Sequence, residues 1–257
     1  MSETLKARLR RGDLLLGTLL TFGATEVADL VAGVGYDWLF VDAEHGALDP
    51  RDVLQLLQTV AGRSPCLVRV PELSEGWVKR VLDAGADGII VPQVSTAEQA
   101  ERAVRFAHYP PRGTRGLGTA RSTRYGMGMA GQLERARDQV MVVVQAETAD
   151  AIRNIEAIAA VPDLDAVFVG PFDLSASLGR PGEVTHPEVL GAIDRVATVC
   201  RGAGVRTGIF ALNAAGLADR PAQGFTLLAA GVDSALLGSA LTGLLGDLRQ
   251  QVRPPSR

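Results

Sequence analysis

From residue 14 onward the chain repeats one unit, a short and almost uninterrupted apolar run followed by a stretch of helical periodicity. The runs lie at 14–21, 37–42, 66–70, 88–92, 140–146, 166–170, 205–210 and 225–229, with Leu236 at the margin of the last. The helical patterns lie at 25–32, 50–61, 75–84, 96–107, 148–159, 187–203, 214–223 and 235–250. A strand with one wet face alternates apolar and polar residues. A continuous apolar strand is buried on both faces, as helices packed around a parallel sheet require. Eight such units in 257 residues predict an α/β fold of the (β/α)8 TIM barrel class. A doubly wound sheet would carry a glycine-rich phosphate turn after its first strand, and 19–26 contains no GxGxxG. No linker, repeat or low-complexity segment divides the chain, so 1–257 reads as a single domain.

The balance of charge narrows the function. With 26 basic and 29 acidic residues the net charge is -3, which argues against nucleic acid as a partner. No apolar run approaches the roughly 18 residues of a membrane span, and the first eleven residues are polar and charged, unlike a secretory h-region. Two cysteines, Cys66 and Cys200, make no disulfide framework. A cytoplasmic protein with reduced thiols and no membrane partner is expected.

In such barrels the chemistry sits where strands end. The second run ends in Asp42, Ala43, Glu44 and His45, the third at Arg69, the fifth in Gln145, Ala146 and Glu147, and the sixth in Gly170, Pro171, Phe172 and Asp173. Glu147 and Asp173 follow adjacent strands, whose axes lie about 4.8 Å apart. Two carboxylates that close repel unless a proton or cation separates them. A hard divalent ion completed by water and substrate oxygens suits them; the plainer alternative is a helix cap at Glu147 and a turn at Asp173. His45 is either a structural imidazole or a base oriented by Asp42 or Glu44. Arg69 is either half of a buried ion pair or a clamp on a substrate oxyanion. His108 and His186, beside prolines, read as structural. The basic residues include only two lysines, Lys6 before the barrel and Lys79 inside a helix, so neither is placed to form a Schiff base at a strand end.

One connection is exceptional. Residues 108–139 carry Arg112, Arg115, Arg121 and Arg124 among glycines, where most connections have about 4–6 residues. It reads either as a solvated or interface loop or as an anion-contacting lid over the barrel mouth.

The segments DWLFVDAEHG, PCLVRVP, VPQV, YPPRGTRG, VVVQAET and VFVGPFDLSASLG occur in an order and spacing that resemble the HpcH/HpaI family, from about Leu14 to Leu248. These are metal-dependent pyruvate aldolases on a phosphoenolpyruvate/pyruvate-type barrel, which cleave or form 4-hydroxy-2-oxoacids. The resemblance implies that Glu147 and Asp173 ligate Mg2+ or Mn2+, with Co2+ as a further candidate, and that no organic cofactor is used. It implies that Gln145 and Gly170 border the substrate, which is a small 2-oxoacid with an aldehyde partner. The N–H of Phe172 receives the pyruvyl carboxylate beside Asp173, His45 is the general base, and Arg69 stabilises the enolate. Asp83 matches the family acid that works with the histidine, yet it precedes its strand and belongs at the wrong end of its own barrel. Asp42 is the nearer candidate in the same chain.

Two other readings stand beside this one, a CoA-linked lyase of the citrate lyase β type and a silent barrel used for binding. The length and the AEHG and GPFD segments favour the short aldolases. The last helix, 235–250, carries Leu236, Leu237, Leu241, Leu244, Leu245 and Leu248 at spacings that make a broad apolar stripe. Either it closes its own barrel or, as the resemblance implies, it is exchanged between subunits of a homohexamer built as a trimer of dimers. That exchange would also bring Asp83 to a neighbour's site.

Overall fold

A computed structural model describes residues 3–252. Eight parallel strands close into one barrel in sequence order: β1 (Leu15–Leu20), β2 (Trp38–Asp42), β3 (Cys66–Arg69), β4 (Gly88–Val91), β5 (Met141–Ala146), β6 (Ala166–Val169), β7 (Arg206–Ala211) and β8 (Phe225–Val232). The expected (β/α)8 barrel is therefore the observed fold. The helices outside it are α1 (Leu5–Arg11), α2 (Thr25–Val34), α3 (Pro50–Thr59), α4 (Glu75–Asp83), α5 (Ala97–Ala107), α6 (Met129–Gln139), α7 (Ala149–Arg153), α8 (Ile155–Ala159), α9 (Pro171–Ser177), α10 (Pro187–Ala203), α11 (Arg220–Gln223) and α12 (Asp233–Gln251). None is long and apolar enough to cross a membrane.

The continuous apolar runs serve two cores. One set of side chains, with Val41, Val68, Ile89, Val142 and Val167, packs under the helices. The other fills the barrel, where Trp38, Phe40 and Phe168 meet at centroid separations of 5.7–6.3 Å. The indole of Trp38 needs a neighbour without a side chain. Gly17, its register partner on β1, supplies that space, because a Cβ there would stand 2.6 Å from the indole ring. Helix starts follow side-chain chemistry: Asp49 with Asp52 and Thr96 with Gln99 form reciprocal capping boxes on α3 and α5.

Several elements differ from the sequence reading. The charged start of the chain folds into α1, whose Leu5 and Leu9 plug the N-terminal end of the barrel. The pattern at 148–159 is broken at Asn154, whose amide donates to the Ser95 carbonyl at 2.8 Å, giving α7 and α8. The GPFD segment is the start of α9, with Pro171 at its first position, rather than a turn. Leu236 belongs to α12, not to a strand.

The long connection contains α6 and joins α5 to β5, which places it at the N-terminal end of the barrel. Arg121 donates to the carbonyls of Ala84 and Leu57, beyond the C-terminal end of α4 and within the last turn of α3, and Arg115 pairs with Asp83 at the end of α4. A lid over the mouth of its own barrel is therefore excluded, because an αβ connection runs along the face opposite the βα loops. α12 leaves the barrel with Leu236, Leu237, Leu241, Leu244, Leu245 and Leu248 all exposed. Within one chain the helix does not bury its stripe.

Candidate active site

The strand ends at the C-terminal face converge on a cavity of about 300 Å³. Its floor is Phe40, Phe168 and Leu19, and its wall carries His45, Arg69, Gln145, Gly170, Phe172 and Asp173. All four groups of residues read from strand ends thus meet in one place.

Arg69, the last residue of β3, lies buried in register with Asp42, the last residue of β2. Its Nε and Nη2 donate to the two Asp42 oxygens at 2.9 and 2.7 Å, a bidentate pair. Its Nη1 is left to point at the site, 3.4 Å from Gln145 Oε1 and 3.0 Å from Glu44 Oε2. Asp42 also accepts the backbone N–H groups of Glu44 and His45 at 3.1 and 3.3 Å. Asp42 therefore fixes the DAEHG turn and Arg69, and it does not orient the imidazole. The ring of His45, 64% exposed, lies instead with its Nε2 4.0 Å from Glu44 Oε2.

Glu147 sits just beyond β5 and is 2% exposed. Its Oε1 accepts the Gln93 N–H at 2.7 Å, and Gln145 Nε2 donates to its Oε2. Gln93 delivers that N–H from a left-handed conformation, φ 54°. Burial pushes the Glu147 carboxyl up to about 7, and the charges of Asp173 and Glu44 add to the rise. Burial likewise raises Glu44, against the charges of Arg69 and His45. Three acids thus crowd one corner with Arg69 as their buried cation.

Does this corner suit a divalent cation? Among the described residues no cluster of three or more His, Cys, Asp or Glu has metal-site geometry. The donor set is the smaller one that hard ions share with substrate: Glu147 just beyond β5 and Asp173 in the first turn of α9. Two observations fit an ion there. The mutual repulsion of Glu147 and Asp173 is what a cation would relieve. Gly170 also leaves a cradle beside Glu147, since a Cβ at that position would lie 2.6 Å from Glu147 Oε2 and 2.8 Å from Gln145 Nε2. The residues present therefore fit the group.

The first helical position of α9 is Pro171, which has no N–H, so its first free donors belong to Phe172 and Asp173. Both residues line the same cavity, and free N–H groups of this kind suit a carboxylate. No lysine approaches it: Lys6 is 1% exposed at the opposite end, 2.9 Å from Asp165, and Lys79 lies within α4.

Asp83 is not in this site. It ends α4 at the N-terminal face, 2.8 Å from Arg115. Three contributors escape a reading by strand ends. Glu44 appears there only as a neighbour of His45, whereas it also contacts Arg69. Gln93 acts through its backbone, which no residue type announces. Asp233, at the start of α12, accepts the N–H groups of Thr21 and Phe22 and the Thr21 hydroxyl, so it fixes the β1 rim to the last helix. An acid directly after the final strand was its only signal.

The sequence model of the HpcH/HpaI aldolase/citrate lyase family matches residues 21–240. A 4-hydroxy-2-oxovalerate aldolase of Rhodococcus jostii is 41% identical over 254 residues, covering 96% of each chain. A hydroxypyruvate/pyruvate aldolase of Paraburkholderia phytofirmans is 40% identical over 90% of this chain and 92% of its own. Among solved structures, an HpcH/HpaI aldolase/citrate lyase family protein of Burkholderia cenocepacia superimposes with a TM-score of 0.90 at 39% identity, covering 95% of this chain and 98% of that one.

Proposed function

Because the chain belongs to the HpcH/HpaI aldolase/citrate lyase family and is a carbon–carbon lyase of the aldolase type, we propose that it cleaves and forms 4-hydroxy-2-oxoacids through a pyruvate or hydroxypyruvate enolate. The observation that carries this reading is the corner where Arg69 Nη1, Gln145 and the buried Glu147 meet beside the free N–H groups of α9. Glu147 and Asp173 would hold Mg2+ or Mn2+, which supplies Lewis acidity toward the 2-oxo oxygen.

The remaining work falls to the protein. The N–H of Phe172 receives the substrate carboxylate, and Gly170 leaves room for it. In the cleavage direction His45 takes the proton of the C4 hydroxyl, the C3–C4 bond breaks, and an aldehyde leaves. Negative charge then gathers on the former 2-oxo oxygen, where Arg69 is already held by Asp42, until C3 takes the proton from His45 and pyruvate is released. A preorganised cation costs no reorganisation at that moment, and such terms reach several kcal/mol. Synthesis reverses the order, with His45 returning its proton to the new alkoxide.

We propose further, from the family, a homohexamer built as a trimer of dimers that exchange α12; the exposed leucines of that helix support its burial against another chain. In that assembly Asp83, stranded at the far end of its own barrel, would serve a neighbour's histidine. We place the protein in the cytoplasm on its cysteine usage, two buried free thiols. The test is pyruvate release from 4-hydroxy-2-oxoacids, coupled to lactate dehydrogenase. Activity should vanish after chelation and return with Mg2+ or Mn2+. A borohydride-trapped covalent pyruvyl adduct would overturn the mechanism, and no pyruvate release from any 4-hydroxy-2-oxoacid in a broad panel would overturn the function.

A further inference from the structure

A second cavity, about 310 Å³, opens at the N-terminal end of the barrel between the end of α4 and the arginine-bearing connection. Arg115, Arg121, Ser122, Arg124 and Gln132 line it from the connection, and Asp87 lines it from the start of β4. The anomaly is Arg115, which is 2% exposed. Its Nη2 donates to Asp83 Oδ1 at 2.8 Å, and its guanidinium carbon lies 4.7 Å from the centroid of the Tyr109 ring. Its Nε and Nη1, and the buried Oγ of Ser122, find no hydrogen-bond partner among the described residues.

A guanidinium cannot shed its charge by losing a proton. Two buried, unpaired guanidinium nitrogens therefore carry a full desolvation cost unless acceptors reach them. The other charges are differently employed. Arg121 is spent on the carbonyls of Ala84 and Leu57, and Asp87 Oδ2 accepts the Cys66 N–H at 2.8 Å. Arg124 is exposed at the rim. The cavity thus has a floor that lacks acceptors and a rim that adds positive charge. Three guanidinium groups against one carboxylate in its lining disfavour a cation, and the scarcity of apolar side chains disfavours a hydrophobic guest.

We propose that this cavity is a second binding site, for a small oxyanion of the phosphate or carboxylate class, received by the free nitrogens of Arg115, the Ser122 hydroxyl and the Arg124 guanidinium. It lies at the opposite end of its own barrel from the cavity that holds Arg69 and Glu147; in the assembly proposed above, Asp83, which Arg115 holds, faces a neighbour's site.

Calorimetric titration tests it. Inorganic phosphate and, separately, malonate are added to the full-length protein already saturated with Mg2+ and pyruvate, so that the C-terminal cavity is filled. Saturable binding of at least one anion is expected. A response to phosphate alone assigns a phosphate group, and a response to malonate alone assigns a carboxylate. Arg124→Glu should weaken binding at least about tenfold, and Ser122→Ala about threefold to tenfold. Neither change strands Asp83, so both variants should fold, as circular dichroism will check. No saturable heat from either anion up to about 10 mM, or binding unaltered in both variants, would overturn the site. A fall in assembly mass in these variants, with the anion affinity unmoved, would show that the arginines bind a second copy of the chain instead.

Discussion

The pair between Arg69 and Asp42 makes a quantitative prediction, because both partners are buried and their geometry is bidentate. Arg69→Met keeps an aliphatic stem over the Phe40 ring, where the guanidinium carbon now lies 5.3 Å from the centroid. It leaves the Asp42 carboxylate in place, held only by two backbone N–H groups. Removing one member of a buried pair costs about 3–5 kcal/mol, chiefly because the surviving charge is stranded. At about 2–4 °C per kcal/mol for a chain of this size, Tm should fall by about 6–20 °C. Adding Asp42→Asn removes the stranded charge while its amide oxygen still accepts those N–H groups. The double variant should therefore return to within about 2 kcal/mol of the parent. Catalysis should not return with it, since Arg69 Nη1 is absent in both; a loss of about 10²–10³ in turnover is expected. Thermal melts of the parent, Arg69→Met and the double variant, together with pyruvate release, measure the two effects separately. A Tm for Arg69→Met within about 1 °C of the parent, or a double variant less stable than Arg69→Met alone, would refute the account.

Other outcomes follow from the same geometry. Gly170→Ala places a methyl 2.6 Å from Glu147 Oε2, so the Mn2+ concentration for half-maximal activity should rise about 10–100-fold with the circular dichroism spectrum unchanged. His108, 3% exposed, has its pKa pulled down to about 4 by burial and the nearby Lys6 charge. The unfolded chain takes up this proton from about pH 6.5, so the stabilising contribution is complete above that value and is lost as pH falls toward 4. Urea midpoints should therefore show about 3 kcal/mol less acid sensitivity over that window in His108→Asn than in the parent, and parallel pH profiles would exclude it. The exposed leucines of α12 predict a light-scattering mass well above the 27.0 kDa chain. Leu241→Glu with Leu245→Glu should lower it, whereas a fully active 27.0 kDa monomer would remove both helix exchange and any part for Asp83 from a neighbour.

The barrel was legible because its strands advertise burial on both faces. A run such as VMVVVQAE leaves little room for another fate, and polar residues at its end fall at the mouth by topology alone. Elements held by tertiary contacts were less visible. α1 shows two leucines among charges, too weak a pattern until the barrel beneath it is known. The arginine connection left a lid and an interface loop open because composition suggests anions but not which end of a barrel receives them; its place between α5 and β5 removes the lid. At the site, side chains with distinctive chemistry were found, and a buried ion pair was open for Arg69, but not which acid it takes. Asp42 and His45 are neighbours in sequence, yet the register of β2 with β3 gives the Asp42 carboxylate to Arg69. The Gln93 backbone contribution depends on a left-handed φ that Gln rarely adopts.

Lys6 carries a consequence for the order of events during synthesis. Its ammonium donates to the Val140 carbonyl at 2.7 Å and pairs with Asp165 at 2.9 Å, so α1 meets its partners among residues made much later. At about 5–20 residues per second, roughly 8–30 seconds separate the two. Throughout that interval α1 remains a short charged segment in water. The plug of the barrel enters after most of the wall exists, and a nascent chain arrested before Asp165 emerges should expose α1 to proteases that the finished protein resists.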